Sequence, residues 1–274
     1  MRLQKARETL VVLVLALVAV AIAVGGGIAF ATYEAQQPAA CNVADVQLYG
    51  ALVYYPAENG GSASSATGDG SLDQTAAEDV RQEIEAADAD PGVKAILLQI
   101  DSPGGDPVAG EDVMDALRHA SKPTVALVAD EGTSAAYLAA TGADMIFASA
   151  NSSLADIGVT QSYIDYASQN TDQGLTWESL TAGQYKDAGN PDAPLTPAEK
   201  ALFQRDLDIT WANLVDWIAA NRRLPTSTVA ALADGSSMEG AMALQDGLID
   251  KIGSIYDVED YLAQKTGGPV TLCE

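Results

Sequence analysis

The sequence predicts an α/β fold built on a parallel sheet, and three observations carry that expectation. Val93 to Ile100 is an unbroken apolar run of strand length, as found in strands buried on both faces. Segments with helical spacing lie on either side of it: a stretch over 73–87 with the spacing Leu72, Ala76, Val80 and Ile84, and an amphipathic stretch over 108–120. The alternation then repeats, with a β-prone run at 124–129, a small-residue helix at 134–141 and a short strand at 145–148. A chain of 274 residues with 48% hydrophobic content has ample material for one packed core.

In chain order, residues 1–33 carry Arg2, Lys5, Arg7 and Glu8, a net charge of +2. No charge occurs from Thr9 to Tyr33, so residues 10–32 are expected to be a transmembrane anchor after a cytoplasmic tail at 1–9. The positive residues precede the span, which places the rest of the chain outside the cytoplasm. Ala29-Phe30-Ala31 also has the small-x-small pattern of a signal-peptidase site, but the apolar stretch exceeds the usual ~7–15-residue signal core. An uncleaved anchor is the favoured reading. Residues 33–45 form a linker, 46–265 the globular domain and 266–274 a C-terminal tail.

Within the domain a strand is expected over 46–55, followed by an exposed Gly/Ser/Ala-rich loop at 58–71. Thr196-Pro197-Ala198-Glu199 is a capping box with proline at the first helical position, opening a long helix to about Asn221. Trp211 and Trp217 fall at helical spacing on it and are assigned to packing. Cys41 and Cys273 flank the domain; a bridge tying its ends and two separate thiols are both open.

The chain has 14 Lys and Arg against 38 Asp and Glu, a formal charge of −24. With +2 on the first 33 residues, −26 falls on the remainder. Nucleic acid and anionic membrane surfaces would be repelled, so neither is an expected partner. One histidine and two distant cysteines make no ordinary N/S metal site, and no cofactor is expected.

The single histidine also bears on nucleophilic chemistry. A serine nucleophile needs a base, and His119 ends an amphipathic helix, where a cation suits the helix terminus and a structural or surface role is expected. A lysine base is the alternative. Ser134 stands where the apolar strand at 125–129 gives way, through Asp130-Glu131-Gly132-Thr133, to a small-residue helix, so the amide of Ala135 can stabilise an oxyanion. Ser102-Pro103-Gly104-Gly105 closes the buried strand with a turn whose glycine amides can approach a substrate. Lys186, in Gly183-Gln184-Tyr185-Lys186-Asp187, follows Ser134 by 52 residues (186 − 134).

These motifs, with Ala143-Asp144-Met145-Ile146-Phe147-Ala148, Ile157-Gly158-Val159, Gly240 and Gly247-Leu248-Ile249-Asp250-Lys251-Ile252-Gly253, resemble the signal peptide peptidase A family, the S49 serine peptidases. The resemblance runs from about Val46 to Ala263. It implies a ClpP/crotonase-like fold of repeated ββα units behind one transmembrane helix, and a membrane-anchored, self-assembling endopeptidase acting on signal peptides or other membrane-associated peptides. It makes Ser134 the nucleophile, Lys186 the general base, and Gly104, Gly105 and Ala135 the oxyanion hole.

Two positions depart from the family pattern. Ala135-Ala136 replaces the usual Gly-Gly after the nucleophile. Asp156 stands where the family generally has a serine that orients the lysine, so it is a possible modulator of Lys186. A carboxylate in contact would hold the lysine protonated and move activity to alkaline pH. The alternative reading is therefore a catalytically weak or inactive membrane scaffold on the same fold. An acyl-CoA enzyme of the crotonase group would share the oxyanion hole but fits poorly with an anchor and an extracytoplasmic domain.

Overall fold

The computed structural model describes residues 41–55 and 74–273. The expected anchor at 10–32 and the loop at 58–71 lie outside them. No described helix is long and apolar enough to cross a membrane.

The mixed α/β architecture is as expected. Strands β1 (Val43–Tyr49), β4 (Ala95–Ser102), β5 (Thr124–Thr133), β6 (Met145–Ala148), β9 (Lys251–Ile252) and β10 (Leu272–Cys273) form a sheet in the order β10-β1-β4-β5-β6-β9, every adjacent pair parallel. β7 (Ser153–Ala155) pairs in parallel with the far end of β5, and β8 (Ser237–Glu239) pairs antiparallel with β7. Sheet pairing thus extends beyond residues 46–265 at both ends. The run expected as one strand over 46–55 is divided: Gly50, at φ 65°, separates β1 from β2 (Ala51–Val53), which pairs with β3 (Gln74–Ala76) in a small second sheet. Thr75 fastens the two sheets, its Oγ1 donating to the Tyr49 carbonyl at 2.6 Å and accepting from the Tyr49 amide at 3.0 Å. The helix expected from residue 73 therefore begins only at Ala77.

Alternation along the strands divides the core. Ile96, Leu98 and Ile100 of β4 face a layer containing α1 (Ala77–Ala89), α2 (Pro107–His119), α3 (Ser134–Ala140) and the second half of α5 (Pro197–Arg222). Ala95 and Leu97 face Val258 and Leu262 of α8 (Ile255–Thr266) on the other side. Short helices α4 (Ala167–Asp172), α6 (Thr226–Leu232) and α7 (Gly240–Gln245) complete the described elements. The capping box at Thr196 and Glu199 is present on both sides, with Thr196 N donating to Glu199 Oε2 at 2.8 Å. Trp211 and Trp217 pack against the core, and the Trp211 indole N–H donates to the Ala233 carbonyl at 3.0 Å.

The Gly247–Gly253 motif is structural. Arg222, nearly buried, makes a two-point contact with Asp250, Nη2 to Oδ1 at 2.8 Å and Nη1 to Oδ2 at 3.1 Å, while Asp250 Oδ2 also accepts from the Ile146 amide at 2.8 Å. The fully buried Tyr137 hydroxyl donates to the Leu248 carbonyl at 2.7 Å, and burial raises its pKa.

Both cysteines are disulfide-bonded and are the only two in the chain, so Cys41 is joined to Cys273. Asn42 reinforces the junction, Nδ2 donating to Pro269 O and Oδ1 accepting from Thr271 N, each at 2.9 Å. The bridge closes nearly the whole domain into one loop, for which ~2–4 kcal/mol is typical. Reduction, or the Cys41→Ser/Cys273→Ser pair, is expected to lower Tm by roughly 5–15 °C, given ~2–4 °C per kcal/mol at this size. Calorimetry of the full chain with and without dithiothreitol reads this directly; an unmoved Tm would mean that the bridge adds nothing to stability.

Candidate active site

β5 runs straight into α3, and the joint is Ser134. Its φ of 52° is left-handed, a conformation costly for any residue with a Cβ and common at functional turns. The chain accepts it because both flanks are fixed. Thr133 is buried and its hydroxyl donates to Glu131 Oε1 at 3.0 Å, while Ala135 to Ala140 are all buried. Ser134 itself is half-exposed, and among the described residues its hydroxyl makes no hydrogen bond.

The Gly-Gly turn meets this joint at van der Waals distance. Gly104 has φ 86°, and a Cβ built there would lie 2.7 Å from both Ala135 N and Thr133 O and 2.9 Å from Ser134 Cβ. Gly105 is held from the other side by β2: Leu52 N donates to Gly104 O, and Asp106 N donates to Leu52 O, both at 2.9 Å. In a parallel bridge of this kind the central residue turns its own N–H and C=O to the opposite edge. The Gly105 amide is therefore directed away from β2, and among the described residues no hydrogen bond engages it. Ala135 lies in the first turn of α3, whose amides have no intrahelical acceptor.

Gly104 has a different position. Its N–H donates to Ser102 Oγ at 3.1 Å, and that fully buried hydroxyl donates in turn to Gly50 O at 2.6 Å. Of the three amides expected for an oxyanion, those of Gly105 and Ala135 are available. The glycine at 104 instead allows the close approach. The role of Ser102 was signalled only by its place in the Ser-Pro-Gly-Gly motif.

Asp156 directly follows β7, the strand beside the end of β5. Thr133 pairs with Ala155, so one residue further along each strand come Ser134 and Asp156. Ala155 and Asp156 also have positive φ, 72° and 47°, and the Asp156 amide is tied to Ser236 O at 3.2 Å. Three left-handed non-glycine residues thus gather at this end of β5 and β7.

Lys186 lies on a separate segment. It lies in a turn held by Lys186 N to Gly183 O at 3.2 Å, and Asn190 Nδ2 donates to Asp187 Oδ1 at 3.1 Å, holding the Asp187 carboxyl below its ordinary pKa. The Lys186 side chain is exposed, and among the described residues no hydrogen bond or ion pair joins it to Ser134 or Asp156. His119 is on the α1–α2 side. Its Nδ1 lies 2.7 Å from Asp115 O at the end of α2, which agrees with the structural reading.

A serine hydroxyl raised on a strand-to-helix joint, with two amides beside it, is an arrangement suited to nucleophilic acyl transfer. The model of peptidase family S49 matches residues 116–267, more than half of the chain. A putative protease of Methanocaldococcus jannaschii is 33% identical over 183 residues, covering 66% of this chain and 59% of its own length. A putative signal peptide peptidase SppA of Enterococcus faecium is 27% identical over 186 residues, covering 67% and 54%. The chloroplastic serine protease SPPA of Arabidopsis thaliana is 29% identical over 224 residues, covering 78% and 33%. The chain belongs to peptidase family S49. It spans little more than half the length of the first two of these relatives.

Proposed function

We propose that this chain is a serine endopeptidase of the ClpP/crotonase-like fold that uses Ser134 as nucleophile and Lys186 as general base. The left-handed Ser134, packed against Gly104 beside the amides of Gly105 and Ala135, is the observation that carries the reading. Attack of the Ser134 oxygen on a peptide carbonyl transfers the hydroxyl proton to a neutral Lys186. The two amides hold the resulting oxyanion, the amine leaves with a proton from the lysine, and water hydrolyses the acyl-enzyme.

Lysine can serve only when neutral, which demands that it lose water. The segment bearing Lys186 exposes Ile164, Tyr166, Leu175, Trp177, Leu180 and Tyr185, with Leu180 99% exposed. An apolar surface of this kind supports a homo-oligomer, whose assembly would cover the segment and desolvate Lys186. The uncharged stretch at 10–32 supports a membrane anchor with the peptidase domain outside the cytoplasm, and signal peptides or other membrane-associated peptides as substrates.

The test is labelling of the full chain by a fluorophosphonate. The expected result is one adduct, located on Ser134 by mass spectrometry and absent when the chain is heat-denatured before the probe is added. A folded, assembled chain that is never labelled would favour the scaffold reading, which the exposed Lys186 keeps in view.

A further inference from the structure

The hydrogen-bond ladder leading into the Gly104–Gly105 turn changes register at its last rungs. β1 and β4 run in parallel with Tyr49 against Asp101, so the next rung sets Gly50 against Ser102, and Gly50 N donates to Asp101 O at 3.0 Å. In an unbroken parallel ladder Gly50 O would then accept from residue 103, and Leu52 O from residue 105. Residue 103 is Pro103, which has no N–H to give. The bridge that forms beyond it sets Leu52 against Gly105, with Asp106 N donating to Leu52 O at 2.9 Å. Between these rungs one chain advances two residues (52 − 50) and the other three (105 − 102), a bulge of one residue.

The bulge decides where the Gly105 amide goes. In the unbroken register that N–H would donate to Leu52 O; with the bulge in place Asp106 takes the acceptor, and the Gly105 amide is left outside the ladder. The same bulge leaves two backbone groups without ladder partners, Gly50 O and Gly104 N. One side chain serves both. The hydroxyl of Ser102, a residue with no exposure, donates to Gly50 O at 2.6 Å and accepts from Gly104 N at 3.1 Å. Removing it would orphan both groups, and an unmade bond to a buried donor is costly, so the bulged register would lose its advantage over the unbroken one.

We propose that Ser102 is a positioning residue for the oxyanion hole, an inference that rests on the peptidase reading of Ser134: by holding the bulge, its hydroxyl keeps the Gly105 amide available to the reacting carbonyl. The full chain in nonionic detergent, with its variants, would be assayed on a casein peptide whose cleavage by the parent has been mapped by mass spectrometry. Ser102→Ala is expected to lower kcat by roughly 10–100-fold with KM within about twofold of the parent. That is less than the ~10²–10³ for a donor removed outright, because the Leu52 bonds still hold the turn. Ser102→Cys keeps a side chain of similar shape with a weaker donor and acceptor, and its kcat should fall between the two. Thr124→Val separates positioning from stability. It removes another buried hydroxyl, one that accepts from Asp144 N at 2.9 Å at the end of β5 away from Ser134, and should lower Tm while leaving kcat unchanged.

Parent-like kcat in a folded Ser102→Ala overturns the proposal while the peptidase reading stands, and so does an equal loss of kcat in Thr124→Val. If Ser102→Ala does not fold, Ser102→Cys decides: a lowered kcat at constant KM supports the positioning role, and parent kcat overturns it. A folded, assembled parent that neither cleaves nor takes the fluorophosphonate at Ser134 defeats the peptidase reading itself, and the role of Ser102 falls with it.

Discussion

Ser134→Ala and Lys186→Ala should each reduce casein hydrolysis by about 10⁴-fold or more, the loss expected when one member of a nucleophile–base unit is removed. No imidazole can take over. The one histidine is on the α1–α2 side, bonded to Asp115 O. The two variants should behave alike in activity but not in labelling: Ser134→Ala has no oxygen to modify, whereas Lys186→Ala keeps the hydroxyl and should label slowly. Neither change should weaken the fold, because Ser134 Oγ has no hydrogen-bond partner among the described residues and Lys186 is exposed. Ser134→Gly supplies the internal check. It relieves the left-handed strain at φ 52° and should be more stable than Ser134→Ala by ~1 kcal/mol while being equally inactive. If Lys186→Ala retained full activity, the base would have to be sought elsewhere.

The second large effect is expected from one methyl group. A Cβ on Gly105 would fall 2.1 Å from Leu52 O and 3.0 Å from its carbonyl carbon, both backbone atoms that cannot rotate away. The turn must then leave β2, carrying the Gly105 amide out of line. Loss of one oxyanion donor costs ~10²–10³ in kcat, and Gly105→Ala should show at least that loss with little change in KM. Gly174→Ala is the control. That glycine also has positive φ, 71°, yet nothing lies within 4 Å of its added Cβ, so the cost there should be limited to about 1 kcal/mol of backbone strain and activity should persist. Equal kinetics for the two variants would remove Gly105 from the site.

What could be read from the sequence divides along the range of the forces involved. The capping box at Thr196 is local chemistry, complete within four residues, and it appears as expected. Buried strands were legible because an apolar run such as Val93–Ile100 has no other home. By contrast, β2 and β3 pair across the 20 residues from 54 to 73, and helical spacing through Leu72 and Ala76 concealed a strand. The motifs identified Ser134 and the two glycines, but not how they meet. That Ser102 binds the Gly104 amide depends on where Gly50 lies, a contact 52 residues distant. Left-handed backbone at Ser134, Ala155 and Asp156 was equally hidden, since none is glycine and tertiary packing imposes it. The place of Lys186 relative to Ser134 follows from neither its motif nor its spacing, because its side chain is exposed and among the described residues no hydrogen bond or ion pair fixes it.

The bridge between Cys41 and Cys273 also fixes how the domain bears a load. In a parallel sheet all strands start at one end, and here β1 begins at Val43 beside the bridge while the Ser134 joint lies at the opposite end of the strands. The eight residues of β4 alone span ~26 Å at ~3.3 Å per residue. Tension entering at residue 41 is divided at once between β1 and the C-terminal strand, which share it in shear with their neighbours. The nucleophile, at the far end of the strands, lies away from any load applied at residue 41.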